Sequence, residues 1–373
     1  MIYFDNGATT YPKPKCVIDS VNRCIKKVGG NPSRSSHKLS LLASEEVYKT
    51  RECIASLLNI NTPENIVFTY NATYAINLAI KTLIKEKCHV ILSDVEHNAV
   101  IRPIETLKRQ IGIEYDRFDS DLPPDVAIPQ LIRKDTRFII STLASNLSGK
   151  EIDFAALSSI AKKHSLKLII DASQILGHKA IDVAKNECDA LCAPGHKALF
   201  GITGTGFVYF KSNVREGDFI EGGSGSDSFN TSMPIVLPEG YEAGTLGTVG
   251  IVALRSGIEF VSEIGFNNID HHLNKLRAIL EYELNKNQYV ISYPSYNGNY
   301  VFNIKDIPSN ETSVLLDRYN ICTRGGFHCA PWAHEKIGTT NNGSVRVSFS
   351  IMNTIREAED FVSTINKITR DCL

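Results

Sequence analysis

No stretch of this chain approaches the roughly 18 consecutive apolar residues that a membrane-spanning helix needs. The opening MIYFDNGATT also lacks the basic and then apolar segments that would predict a secretory leader. Neither sign of charge is in excess, since 40 Lys and Arg face 41 Asp and Glu for a net charge of -1. That balance argues against a broad footprint for nucleic acid or an anionic membrane. Nine cysteines are scattered without a repeating short spacing, so neither a disulfide framework nor a zinc module is expected. Cys188 and Cys192 have no second Cys/His pair behind them and read as strand-end packing, not as a metal site. Free thiols in that number predict a reducing, cytoplasmic setting. Low complexity is confined to EGGSGSDSFNTS at 221–232, and no internal repeat is found.

What the chain does have is alternation. With 43% hydrophobic residues over 373 positions it can bury a large core. From about residue 65 to 210, short β-branched runs alternate with longer helical patterns. NIVFTY precedes ATYAINLAIKTLIK, HVILSD precedes VIRPIETLKRQ, TRFIIST precedes DFAALSSIAKKH, and LKLIID and GFVYF follow. Such alternation predicts an α/β fold, a mostly parallel sheet with helices on both faces. Ligands in these folds gather beyond the carboxyl ends of the strands. Asn71, Thr73, Glu96, His97, Ser145, Asn146 and Asp171 all fall at or just after such runs. Beyond about residue 265, a long amphipathic pattern, strands YVISYP and YVFNI, a helix near 311–319, SVRVSFS and a helix from Thr354 predict a smaller α+β domain. The expected division is a large domain over 13–262 and a small one over 263–373 joined by residues 1–12. Those first dozen residues carry no pattern of their own.

Several stretches carry chemistry. In DALCAPGHKALFGITGTG, His196 and Lys197 lie in a turn between a strand and a glycine-rich stretch. A lysine in a rigid, partly desolvated turn can form a Schiff base with an aldehyde; an isolated loop lysine is more simply a solvated charge. Asp171 ends the apolar run of LIIDASQ, with Gln174 close behind. A carboxylate there can keep a pyridinium nitrogen protonated, or it can cap the following helix. YNATYAINLAI opens a helix with Thr73 in its first turn, a place for a phosphate or for a plain N-cap. In RGGFHCAPWAH at 324–334, Cys329 sits in a glycine-opened segment expected to be mobile. A buried structural cysteine does not need that setting.

Together these stretches resemble the fold type I pyridoxal-phosphate enzymes, within them the class V aminotransferase and cysteine desulfurase group. The likeness runs nearly end to end through YFDNGATT (3–10), NPSRSSHKLS (31–40), NATYAINLA (71–79), VEHNAVIRP (95–103), SNLSGKEID (145–153), DASQ (171–174), GHK (195–197), EAGT (242–245), RGGFHCAP (324–331) and VRVSFSIMNT (345–354). It implies a seven-stranded large domain and a homodimer with a shared active site. It also implies bound pyridoxal 5′-phosphate with Lys197 as its Schiff-base lysine and proton carrier, Asp171 at the pyridine nitrogen, and Gln174 and Asn146 near the phenolic oxygen. His97 matches the histidine stacked on the ring, where relatives that only transaminate usually carry an aromatic residue. Thr73 and His196 match phosphate ligands, and Thr245 the threonine donated by a second subunit. Ala8, His37, Asn146, Arg324 and Arg346 match the substrate site, with Arg346 pairing the α-carboxylate.

Cys329 then matches the loop cysteine that takes sulfur from the substrate as a persulfide, leaving alanine. A thiolate is required, and His328, His334 and Arg324 are the candidates for the local field that favours it. Gly325 and Gly326 are expected to supply backbone latitude, and Trp332 to anchor the loop base. The short span from Pro331 to Gly343 implies limited reach and a dedicated acceptor protein. Two departures stand out: Pro194 replaces a serine that many desulfurases use on the phosphate, and Ala72, Thr73 and Tyr74 replace Thr-Thr-Glu. The expected activity is conversion of L-cysteine to L-alanine with delivery of sulfur for iron–sulfur clusters or thio-cofactors. Selenocysteine lyase or another carbon–sulfur lyase is the alternative; an aminotransferase or a non-catalytic scaffold is more remote.

Overall fold

The computed structural model describes residues 1–32, 35–212, 219–225 and 229–372. Ser33 and Arg34 of the 31–40 segment, and part of the 221–232 stretch, lie outside the described residues. The chain runs through β1 (Ile2–Tyr3), α1 (Lys15–Lys27), α2 (Lys38–Leu57), β2 (Ile66–Thr69), α3 (Ala72–Leu83), β3 (His89–Ser93), α4 (Asn98–Ile111), β4 (Glu114–Phe118), α5 (Pro124–Ala127), β5 (Thr136–Thr142), α6 (Phe154–Lys163), β6 (Lys167–Asp171), β7 (Ala190–Pro194) and β8 (Gly206–Phe210). It continues with α7 (Thr248–Ile264), α8 (Phe266–Leu284), β9 (Val290–Tyr293), β10 (Asn299–Ile304), α9 (Ser309–Arg318), β11 (Ile321–Cys322), β12 (Arg324–Gly326), α10 (Pro331–Lys336), β13 (Ser344–Ser348) and α11 (Ile355–Cys372).

Seven strands form the main sheet in the order β2-β8-β7-β6-β5-β3-β4. β7, β6, β5, β3 and β4 run parallel, and β8 runs antiparallel to both its neighbours. The expected mostly parallel α/β sheet is therefore present. Successive side chains point to opposite faces of a strand, so Ile91, Ile139 and Ile170 enter one buried cluster while Val90, Ile140 and Ile169 enter the other. Helices cover both faces, which is why these strands read as continuous apolar runs. Cys188 and Cys192 fall into the two different clusters as packing residues.

β4 had no apolar signature because its side chains up to Arg117 reach solvent, unlike those of β2, the fully buried strand at the other edge. Its Glu114 and Asp116 face outward and bind Arg133 at 3.0 and 2.5 Å. The last helix begins one residue later than expected because Thr354 is its cap. The Thr354 hydroxyl accepts from the Glu357 N–H at 3.2 Å, and the Glu357 carboxylate accepts from the Thr354 N–H at 2.7 Å.

A second, antiparallel sheet has the order β12-β13-β10-β9. The patternless N-terminus belongs beside it: β1 pairs with β11, Asp5 bridges to Ser348, and Phe4 packs edge-on against Phe349 and Phe361. From there the segment crosses to the turn that carries Lys197. α7 presses on the same turn, where a Cβ at Gly257 would meet the Leu199 carbonyl at 1.9 Å, so the approach requires glycine.

Candidate active site

The carboxyl ends of β2, β3, β5, β6 and β7 open onto one cleft of about 490 Å³, lined by Thr73, His97, Asn146, Asp171, Gln174, Pro194, His196 and Lys197 among others. Seven candidates scattered between positions 73 and 197 thus meet because parallel strands all end at the same edge.

Local geometry places each of them. Asn71 caps α3 by accepting from the Tyr74 N–H at 2.9 Å, which leaves Thr73 exposed in the first turn at the cleft. Tyr74 turns away and packs edge-on against Tyr70 and Phe219. His97 caps α4, its Nδ1 accepting from the Ala99 N–H at 2.9 Å; that bond assigns the ring proton to Nε2. Burial pushes His97 down to about 4, so the ring facing the cleft is neutral at pH 7. Asp171, only 4% exposed, accepts from the Ser173 N–H at 2.9 Å. Gln174 donates to the Gly7 carbonyl at 3.1 Å, tying the cleft to the N-terminal segment.

The lysine turn is clamped from behind. The His196 carbonyl accepts from the backbone and hydroxyl of Thr10, the hydroxyl of Thr9 and the Lys13 ammonium, at 2.9 to 3.1 Å. Lys13 was not legible as a site residue; it follows Pro12 as an ordinary loop charge would. Burial lowers Lys197 to about 8 against the pull of the Asp171 carboxylate, and the charges of Arg346 and Arg324 add to the lowering. His196 keeps a buried Nδ1 without a hydrogen-bond partner.

On the second sheet, Arg324 and Arg346 stand directly opposite each other across β12 and β13. Like charges so placed repel, a cost that a bound carboxylate relieves. Arg346 is 1% exposed, with Asp5 at 2.7 Å on Nη2 and the Asn146 carbonyl at 2.6 Å on Nη1. It is no surface strand charge, and Asp5 is a supporting residue that sequence reasoning quoted without a role.

The cysteine segment runs from β12 into a hydrogen-bonded turn. Gly325 and Gly326 lie in β12 and pair with Val345 and Ser344 of β13; a Cβ on Gly325 would meet the Ser309 carbonyl at 2.5 Å, so close packing requires glycine there, while Gly326 at φ 100° uses the expected backbone latitude. His328 and Cys329 take left-handed backbone conformations at φ 52° and 55°, uncommon for residues with side chains. Two bonds hold that turn against the cleft: the Asn98 N–H to the Cys329 carbonyl at 2.8 Å, and the Asn146 side-chain amide to the His328 carbonyl at 2.7 Å. Cys329 remains exposed, with the exposed Phe327 nearby in the same turn. Trp332 is buried beneath, against Tyr115 and the Arg117 guanidinium.

His328 and His334 also differ from expectation. They are 2% and 1% exposed and stack in a buried chain: His328 Nε2 to the Arg324 carbonyl at 3.0 Å, His328 Nδ1 to His334 Nε2 at 3.3 Å, and His334 Nδ1 to the Thr339 hydroxyl at 2.6 Å. That chain needs one proton per ring. Burial drives both below their ordinary value, His334 to about 4. Neither supplies a cation for the thiol.

Three other candidates lie outside the cleft formed by Lys197. Ala8 donates its N–H to the Asp5 carbonyl at 3.0 Å. Thr245 is exposed and accepts from the Asn31 amide at 3.2 Å, and His37 caps α2 nearby in the chain, accepting from the Ser40 N–H at 3.3 Å.

The chain matches Aminotransferase class-V over residues 2–361. It belongs to that family. A probable cysteine desulfurase of Borreliella burgdorferi is 29% identical, the alignment covering 100% of this chain and 92% of the relative. A cysteine desulfurase of Escherichia coli is also 29% identical, over 99% of this chain and 94% of its own. Among solved structures, a cysteine desulfurase from Thermococcus onnurineus NA1 superposes with a TM-score of 0.87 at 27% identity, covering 99% of this chain and 95% of that one.

Proposed function

We propose that this protein is a pyridoxal-phosphate-dependent cysteine desulfurase. The observation that carries the reading is the exposed Cys329 pinned at the rim of the cleft that holds Lys197, Asp171 and His97. The reaction converts L-cysteine and the Cys329 thiol to L-alanine and a Cys329 persulfide: the substrate C–S bond breaks and an S–S bond forms.

The residues fit the cofactor. The unpartnered buried Nδ1 of His196 and the Thr73 hydroxyl suit a phosphate, and the buried Asp171 carboxylate suits a protonated ring nitrogen. Pro194 presents no hydroxyl there. Pyridoxal 5′-phosphate, when bound, supplies an electron sink. Lys197 carries it and moves the proton at the substrate α-carbon, while Arg346 and Arg324 hold the α-carboxylate and Asn146 braces both Arg346 and the cysteine turn. Thr245 and His37, placed away from their own chain's cleft, suit supply to a partner's site in a homodimer. The large domain over 13–262 then carries the cofactor, and the small one over 263–373 with 1–12 brings Arg324, Cys329 and Arg346. Cys329 hands its sulfur to an acceptor protein in the reducing cytoplasm. Among the described residues, no helix is long and apolar enough to cross a membrane.

The direct test is addition of pyridoxal phosphate, L-cysteine and a thiol reductant, with alanine and sulfide measured. A protein that gains no visible absorbance and makes no alanine overturns the reading. Two finer outcomes follow from the geometry. Only the uncharged amine attacks an aldehyde, so reconstitution with pyridoxal phosphate is expected to accelerate up to about tenfold per pH unit and level off above about 8. Stopped-flow absorbance checks this, and a rate that is flat from pH 6 to 9 contradicts a depressed Lys197. Arg346→Lys is expected to raise the apparent KM for L-cysteine about tenfold, because an ammonium cannot reproduce the fork that reaches Asp5 and Asn146 while leaving a face for substrate. Unchanged steady-state kinetics would remove Arg346 from the site.

A further inference from the structure

Glu96 immediately precedes His97 and is 0% exposed. Its Oε1 accepts from two donors, the Ser93 hydroxyl at the end of β3 and the Thr142 N–H at the end of β5, the latter at 2.7 Å. Its Oε2 is buried with no hydrogen-bond partner. The charged group that faces it is the Asp171 carboxylate on β6, of the same sign; His97 is neutral, and Ser93 and Thr142 present uncharged donors. Glu242, also buried, is treated differently, with Arg51 at 2.5 Å and the Phe68 N–H at 2.6 Å.

An ionised carboxylate without a cation, beside another carboxylate and cut off from water, is strongly disfavoured. The neutral acid satisfies the same geometry, since Oε1 still accepts both donors and Oε2 carries the proton. Glu96 also occupies a mechanical position. It ties β3 to β5 one residue before the ring that closes the cleft, so its length and shape set where α4 starts.

We propose that Glu96 is a positioning residue that holds a proton: an uncharged carboxyl wedged between the ends of β3 and β5, fixing His97 at the cleft and leaving Asp171 as the anion on the cleft floor. Burial, the main cause, raises its pKa to about 8, against the opposing pull of the Ser93 and Thr142 donors. The inference rests on the cofactor reading only for what His97 and Asp171 serve; its charge test needs no turnover and fails separately from that reading.

The first experiment is urea unfolding of the full chain freed of cofactor, wild type against Glu96→Gln, from about pH 5.5 to about 8.5. The native chain keeps the proton up to about 8 and the unfolded chain releases it near about 4.3, so wild-type stability falls as pH rises between those values. Glutamine imitates the neutral acid and does not titrate. The wild-type unfolding constant is therefore expected to rise relative to the variant by up to about tenfold per pH unit; parallel curves overturn the proposal. If unfolding is irreversible, the infrared carbonyl band of a protonated carboxyl at neutral pH decides: it is lost in Glu96→Gln, and an unchanged band overturns the proposal. For the bracing role, pyridoxal phosphate should leave Glu96→Asp about tenfold faster than wild type but stay within about twofold in Glu96→Gln, and equal release from all three overturns it.

Discussion

Lys197→Ala is expected to give a folded protein that makes no alanine from L-cysteine in repeated turnovers, a loss of at least about 10⁴-fold. The side chain has two tasks that no neighbour in the cleft can assume. In the proposed reaction it would carry the cofactor covalently and move the proton at the α-carbon. His97 and His196 are neutral but are held away from such a role by their own positions, one as a helix cap and the other in the turn whose carbonyl Thr9, Thr10 and Lys13 clamp. The fold survives because the turn is secured through backbone, by Thr9, Thr10 and Lys13 on the His196 carbonyl and by Gly257 against the Leu199 carbonyl. Circular dichroism should match wild type, and the visible band formed on adding pyridoxal phosphate should be absent or shifted. Alanine accumulating beyond one equivalent per site would refute the assignment.

Cys329→Ala is expected to lose roughly a hundredfold of its alanine formation from L-cysteine with a reductant present, while cofactor binding is unchanged. The two effects separate cleanly because the turn is held by carbonyls, those of Cys329 and His328, and not by the thiol. Alanine at φ 55° meets the same backbone strain as cysteine, so the turn has no new reason to move. With His328 and His334 held neutral in a buried chain, neither histidine contributes a charge to sulfur transfer. A Cys329→Ala variant that keeps its rate would move the reading to selenocysteine lyase or another carbon–sulfur lyase, with those substrates tested next.

Sheet strands buried on both faces have a strong one-dimensional signature, and β2, β3, β5, β6 and the antiparallel β8 carry it in NIVFTY, HVILSD, TRFIIST, LKLIID and GFVYF. Helices following them place polar residues at the carboxyl ends, so Thr73, His97, Asn146 and Asp171 were legible from the α/β pattern, while Gln174, His196 and Lys197 took their roles from the family resemblance of DASQ and GHK. β4 was silent because most of its side chains face water and need no apolar run, whereas β2, at the other edge, is covered and keeps one. β1 was silent because two residues cannot show a period, and its partner β11 lies more than three hundred residues away.

The sequence by itself determined the class of sheet, the order of its strands along the chain, and which residue types reach the cleft, because these depend on local periodicity and on short motifs. Only the tertiary structure decided the state of those groups. Burial sets the protonation of Lys197, His97 and Glu96. The pairing of β12 with β13 puts Arg324 opposite Arg346, and hydrogen bonds from Asn98 and Asn146 bring the turn that carries Cys329 against the cleft. Desolvation and long-range pairing depend on what the rest of the chain brings alongside, and no local stretch of sequence encodes its neighbours.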